Sequence, residues 1–375
     1  MNRTPEKAKR AVFAMAAIVI ATSVNAATEQ GLGILPVCSR TSRPVGLPSD
    51  APPPAKMVSV DSRSAQATSV LNITYKIEGG GIHSYDAITP NFDGYGFSLG
   101  LVQFNFSGEA QSTFKKIPQS VFDGTMKTWG KTFYSAVHAS STKAIELTKT
   151  MQYQDKKHHN AWVVKDDALI ELRAFLNSPE SHDAQDASIH EIYAAGYSRA
   201  LQWANARGEV APSTREIVSF VDNQIFSGGD LGGMWLPQAT AFRKSFPDDG
   251  RMVDFVSTWI ASCPQSGDAL LYDAKYGQAD ADAWRSKVPV GASLPDEQAL
   301  LFAVGFLKAL SANGPKLKPK DAGIFKSQVL QRRGMMALGA GTANGVAWPG
   351  TAQQLKRHPA PQGHNTSNQH SGAVL

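Results

Sequence analysis

Apolar residues along this chain recur mostly at helical spacing. Ile217, Val218, Val221 and Ile225 form one stripe, preceded by Ser213-Thr-Arg-Glu216 and closed by Gly228-Gly229. That prelude reads as a capping box, in which the serine hydroxyl accepts a backbone N–H and the glutamate reaches back. Ser188-Ile-His-Glu191 has the same form ahead of Ile192, Ala195, Tyr197 and Leu201, and predicts a second helix start. Pro295 suits the first turn of a helix through Leu300, Phe302, Val304, Phe306 and Leu307. Further helices are predicted near Ala144–Gln152, Asp167–Leu176, Met252–Ala261 and Ile324–Leu338. Asn91–Phe106 departs from this pattern: it is glycine-rich and aromatic, and its Asp93-Gly94 turn signal predicts short strands. Just before it, Leu71, Ile73, Tyr75 and Ile77 alternate as in a strand, while Val70, Ile73 and Ile77 fit a helix face. The pattern leaves both open. Strands do not alternate with helices along the chain, which argues against a doubly wound parallel sheet.

The two ends differ from this body. Arg3, Lys7, Lys9 and Arg10 precede an apolar run from Ala11 to Val24, and Val24-Asn25-Ala26 supplies small residues for cleavage. The run is short for a membrane span, so residues 1–26 are expected to be a signal peptide and the protein to be exported, periplasmic or secreted, without a transmembrane segment. Residues 27–66 hold Pro36, Pro44, Pro48 and Pro52-Pro53-Pro54 and read as an irregular extension. Residues 67–348 are expected to be the folded domain and 349–375 a disordered tail, its His358, His364 and His370 solvated. Over the 375 residues, 42% are hydrophobic and 18% charged, enough apolar material for a core, which excludes a disordered chain.

The net charge of +5 belongs to the ends. Four basic residues against Glu6 give the leader +3, and eight Lys or Arg against Asp321 give Asn313–Leu375 +7, which leaves −5 for Ala27–Ala312. A nucleic-acid-binding face on the body is therefore not expected. Two cysteines exclude a disulfide-dense scaffold. In an oxidising compartment Cys38 and Cys263 would form one bridge pinning the extension to the body, with two buried thiols as the alternative.

Glu78 closes the apolar segment and precedes Gly79-Gly80-Gly81. Were the segment a helix, a carboxyl at its rim with apolar walls would hold its proton longer and serve as a general acid. Asp93, fifteen residues on, sits at a turn where a carboxylate is solvated and ionised. Two carboxyls in contrasting surroundings are what glycosidic cleavage requires. The plain alternatives are an exposed helix end for Glu78 and a turn former for Asp93. No phosphate loop, Gly-x-Ser-x-Gly elbow or His-Glu-x-x-His motif occurs, and Asp155–Asn160 reads as a polar loop rather than a metal site.

Glu78, then Tyr85-Asp86-Ala-Ile-Thr-Pro-Asn-Phe-Asp93, then Ser98-Leu-Gly100-Leu-Val-Gln103-Phe104 resembles the active-site stretch of the lysozyme-like superfamily, in its chitosanase-type and phage or bacterial muramidase-type branches. Phe220-Val-Asp222-Asn-Gln224-Ile-Phe-Ser-Gly228-Gly229 is similar to a helix-end element there, and Arg332-Arg333 with Gly339–Gly345 to a closing segment; together they span about 270 residues in the same order. The resemblance implies an α+β, mainly α fold with a small antiparallel sheet beside a catalytic helix end, and tips the segment before Glu78 towards helix. It implies Glu78 as general acid and Asp93 as general base, with Asp86 the rival for the second carboxylate. It places Tyr85, Asp86, Tyr95, Ser98, Gln103, Asp222 and Gln224 around substrate, with Ser98 supporting the cleft. Tyr95 stands where chitosanases commonly carry a basic residue. Tyr85, Tyr95 and Trp129 are the candidate sugar platforms, while Trp162, Trp203, Trp235, Trp259 and Trp284 are expected in the core. The implied activity is cofactor-free hydrolysis of β-1,4-linked amino-sugar polymers, with inversion. Peptidoglycan is favoured because an exported enzyme meets it first, and chitosan follows closely because the acidic body suits a cationic polymer. A non-catalytic wall-binding or secretion-associated protein is the alternative from another class. An effector role would add an immunity partner, which the sequence does not reveal.

Overall fold

Helix α1 (Ala65–Glu78) resolves the ambiguous apolar segment. Ser64 Oγ accepts from the Ala67 N–H at its start (3.2 Å), and Ala67, Val70, Leu71, Ile73, Thr74, Tyr75 and Ile77 are buried along it. The computed structural model describes residues 37–38, 46–48, 53, 56–78, 84–91, 94–158, 161–231, 233, 235–263, 276–312, 322–343 and 345–348. The expected signal peptide (1–26), the expected tail (349–375) and Asp93 lie outside the described residues.

After α1 come strands β1 (Ile88–Thr89), β2 (Ser98–Leu99) and β3 (Phe104–Asn105), paired antiparallel with Thr89 opposite Ser98 and Leu99 opposite Phe104. The β2–β3 turn spans Gly100–Gln103, whose ends both take left-handed backbone (φ +73° and +58°). Glycine is needed at its first position, since a Cβ on Gly100 would lie 2.0 Å from Gln185 Oε1. A tight hairpin turn thus follows β2, while the Asp93-Gly94 signal falls between the antiparallel strands β1 and β2, where Asp93 is outside the described residues.

Helices α2 (Glu109–Phe114), α3 (Gln119–Thr125), α4 (Gly130–Val137) and α5 (Ser141–Lys149) follow, then a hairpin of β4 (Gln152–Asp155) and β5 (Ala161–Val164), then α6 (Asp166–Leu176). The helix expected over Ala144–Gln152 thus ends early, and Gln152 opens a strand instead. Helix α7 (Pro179–Ala206) has 28 residues and is about 42 Å long at 1.5 Å per residue. It starts at Ser178, whose Oγ accepts from Ser181 N–H (3.2 Å), with Pro179 in the first turn. Ser188, expected to cap a helix, lies inside α7 and donates to Thr113 Oγ1 (3.0 Å). The chain closes with α8 (Thr214–Ser227), α9 (Leu236–Lys244), α10 (Asp249–Ala261), α11 (Gly277–Lys287), α12 (Asp296–Ser311), α13 (Ala322–Leu338) and the β6 (Thr342–Ala343) and β7 (Val346–Ala347) hairpin. The capping box expected before α8 is present: Ser213 Oγ accepts from Glu216 N–H and Glu216 accepts from Ser213 N–H.

Mainly helical with small antiparallel sheets, the chain forms two packed groups joined by α7. In the first, Phe114, Phe122, Phe133 and Phe175 interlock, Phe122 stacking on Phe175 at 4.6 Å between centroids. In the second, Phe242, Phe255 and Trp259 surround Phe306. The first half of α7 packs on α2 and its second half on α8; α8 in turn carries α1 and α13. Trp203, Trp235, Trp259 and Trp284 are buried, whereas Trp162 on β5 is half-buried.

A disulfide joins Cys38 to Cys263 at the end of α10. The described parts of the extension are fastened to the body. Pro48 O accepts from Gln238 Nε2 (2.9 Å), Pro53 O from Arg199 Nη1 (2.6 Å), and Val58 N–H donates to Ser198 Oγ (3.1 Å). These described parts form no helix or strand before Ala65 and lie as a strap across α10, α9 and α7. Among the described residues no helix is long and apolar enough to cross a membrane.

Candidate active site

Glu78 is the last residue of α1, and its side chain is 9% exposed. Its Oε1 accepts from Arg332 Nη2 at 2.5 Å, and the same nitrogen donates to Asp222 Oδ1 at 2.5 Å. Asp222, on α8, is fully buried, and Arg332, on α13, nearly so. Arg332 lies over the Phe226 ring, 4.6 Å from its centroid. Beside it Arg333 donates to Asn223 Oδ1 (2.7 Å) and Ser219 O (3.1 Å), and lies 3.5 Å from Asp222 Oδ2. Burial pushes the Arg333 pKa down, while the charges of Asp222 and Glu78 oppose that shift. Two carboxyl groups and two guanidinium groups thus meet in one cluster. Helices α12 and α13 approach closely around it, for a Cβ on Gly305 would lie 2.6 Å from Arg333 Cβ.

Two expectations change here. The apolar surround predicted for Glu78 is replaced by the guanidinium of Arg332. Asp222, placed around substrate by resemblance, is sealed in the interior and holds Arg332.

A second group of predicted residues gathers on the first half of α7. Tyr85 donates its hydroxyl to Asp186 Oδ1 (2.8 Å) and stacks on His182 at 3.9 Å between centroids. Its pKa is pushed up to about 12 by burial first and then by the bond to Asp186, so the phenol stays protonated. Asp86 accepts from the Ser84 hydroxyl and from Asn177 Nδ2 (3.2 Å). The Ser84 bond leads in holding its pKa below the ordinary value; burial opposes, and Asn177 and Arg173 add to the lowering.

Buried Gln185 ties this group to the sheet, donating to Tyr85 O (3.3 Å) and accepting from Leu101 N–H (3.1 Å). Gln103 accepts from Thr89 Oγ1 at 2.5 Å and donates to Gly100 O at 3.1 Å, which fixes its amide across the turn. Ser98 is buried on β2, so it supports the wall. Tyr95 is half-buried, its carbonyl accepting from Phe106 N–H (3.0 Å). Gln224 folds over Gly229, where a Cβ would meet its Oε1 at 2.5 Å. Trp129 is clamped by Asp167 (Nε1 to Oδ2, 3.0 Å) and Glu171, at the start of α4. Tyr75, one helical turn before Glu78, lies within electrostatic reach of Asp186 and Tyr85 and links the two groups.

Arg332 is the functional residue that sequence reasoning left without a role. The signal was present: a basic pair inside an apolar helix needs buried carboxylates, and Asp222 lies on the buried stripe of α8.

Among the described residues no set of three or more His, Cys, Asp or Glu is grouped to hold a metal ion. No family model matches the chain, and the searches of curated proteins and of solved structures return no match either.

Proposed function

We propose that the protein is an exported, lysozyme-like glycoside hydrolase that cleaves β-1,4-linked amino-sugar polymers, with Glu78 as the proton donor. The observation that carries this reading is the terminal carboxylate of α1 tied through Arg332 to a sealed Asp222. Buried ion clusters add little net stability over apolar packing, so one that ends in a carboxyl group at a helix end, just before a glycine run, points to chemistry. Asp222 fixes Arg332, and Arg332 fixes the direction of Glu78. In the reaction Glu78 protonates the leaving oxygen while a second carboxylate activates water. Asp93 holds that second role by resemblance, with ionised Asp86 as rival. Inversion is the outcome the resemblance implies. Tyr85, braced by His182 and Asp186, supplies an amphipathic ring for a sugar face, and Gln103 a fixed amide.

Peptidoglycan is the proposed substrate, because an exported enzyme meets it first. Chitosan is the second reading, favoured by Asp86, Asp183 and Asp186 around Tyr85, which would attract a cationic polymer. The deciding experiment measures reducing-end release on both polymers by the mature protein and by Glu78→Gln. Cleavage of one polymer that disappears in the mutant is the expected outcome. An unchanged rate in Glu78→Gln would overturn the assignment of Glu78, and no cleavage of either polymer would leave a non-catalytic wall-binding protein.

A further inference from the structure

The net charge of the body conceals a strong asymmetry. Residues 109–165 contain nine lysines, no arginine and four acidic residues, for a net +5, while residues 166–191 contain seven acidic residues against Arg173, for a net −6. The lysines belong to α2–α5 and the β4–β5 hairpin, which pack as one unit. Lys131, Tyr134 and His138 share one face of α4 and its C-terminal cap, at spacings of three and four. His138 packs at a tilt against Tyr134 (4.1 Å between ring centroids) and sets one ring nitrogen at Tyr134 O (2.9 Å) and the other at Lys115 O (3.1 Å). This contact brings the exposed Lys115-Lys116 pair to the end of the α4 face, and Lys127 extends the face at its start. Among the described residues these four lysines make no ion pair; of the nine, only Lys143 does, with Glu146.

We propose that this ridge, Lys115, Lys116, Lys127, Lys131 and His138, docks an extended polyanion whose charges are phosphates. Lysine ammoniums act as mobile point charges, without the rigid fork by which arginine recognises one oriented anion. Such a surface suits a flexible polymer with repeated charge. A lipid surface fits less well, because membrane docking needs an apolar wedge and Tyr153 is the one large exposed hydrophobic residue among the described residues of this unit. Within the proposed function, the ridge would retain the enzyme on a phosphate-bearing envelope polymer beside its substrate. Binding itself does not depend on that function.

The test measures fluorescence anisotropy of labelled linear polyphosphate with the full mature, oxidised protein. Affinity is expected to fall by at least about tenfold between roughly 50 and 200 mM salt. The triple variant Lys115→Glu/Lys116→Glu/Lys131→Glu should lose at least about tenfold in affinity at fixed salt while its melting temperature stays near that of the parent, the three side chains being exposed. Glu78→Gln should bind as the parent does, which separates this result from the fate of the catalytic reading. Absence of binding by the parent, or equal binding by the folded triple variant, would overturn the proposal. Tighter binding to phosphatidylglycerol vesicles than to polyphosphate would overturn the choice of a polymer as occupant.

Discussion

Asp86 carries its charge among Ser84, Asn177 and Arg173, and this has a defined consequence for stability. Because its pKa is lowered on folding, the carboxylate stabilises the native state at pH values above its ordinary 3.8, and that contribution is lost as pH falls through the folded value. Asp86→Asn should therefore cost stability near neutral pH, and the gap to the parent should close as the medium is acidified below about pH 4. Chemical denaturation across the pH series checks this; a gap that widens in acid would show that the neighbours do not hold the charge. Residues differ in how far the sequence disclosed them. Glu78 was legible because an apolar segment stops at it and three glycines follow. For Arg332 the need for buried carboxylates was legible but not their identity, since its partners lie 110 and 254 positions away. Position 222 could have been placed: it is four residues from Val218 and three from Ile225, on the same buried face of α8.

At the scale of elements, the α7–α8 contact is sensitive to a single atom. A Cβ on Gly196 would lie 2.6 Å from Val221 Cα, backbone that cannot rotate aside. Gly196→Ala should separate the helices and cost about 1–3 kcal/mol. Gly124→Ala, where a Cβ meets nothing within 4 Å, should be neutral or stabilise by up to about 1 kcal/mol through helix propensity. Thermal melts of the two variants give the comparison, and equal melting points would remove the close approach as a constraint. Helix α7 also explains a misreading. Its buried stripe begins with Ser181 and Gln185 before Ile189 and Tyr193, so the apolar period is silent for two turns. The sequence pattern therefore placed the start at Ser188, although Ser178-Pro179 carries the cap. The Ser213 box was legible because apolar residues follow it at once.

At the scale of the whole molecule, the strap and its bridge tie the N-terminal extension to the second helical group. The bridge links residues 225 positions apart, for which the chain-entropy estimate gives stabilisation of about 5 kcal/mol. Reduction, or Cys38→Ser, should lower the melting temperature by roughly 5–10 °C and admit proteolysis ahead of α1. Identical melting and cleavage in the reduced protein would show that hydrogen bonds alone retain the strap. Composition suggested a linker because prolines without N–H groups form no strand. Their carbonyls accept instead from Gln238, Arg199 and Gln202, side chains no local pattern could nominate.

The Glu78–Arg332 contact also imposes an order in time. The carboxylate belongs to the first helix made after the strap, whereas its arginine is synthesised 254 residues later. At the ordinary pace of about 5–20 residues per second, a growing chain carries Glu78 for more than ten seconds before Arg332 exists. Throughout that interval, and during any threading across a membrane, the pair is unmade. Under the proposed function, competence to act on a glycan polymer would thus arrive only once Arg332 has been made.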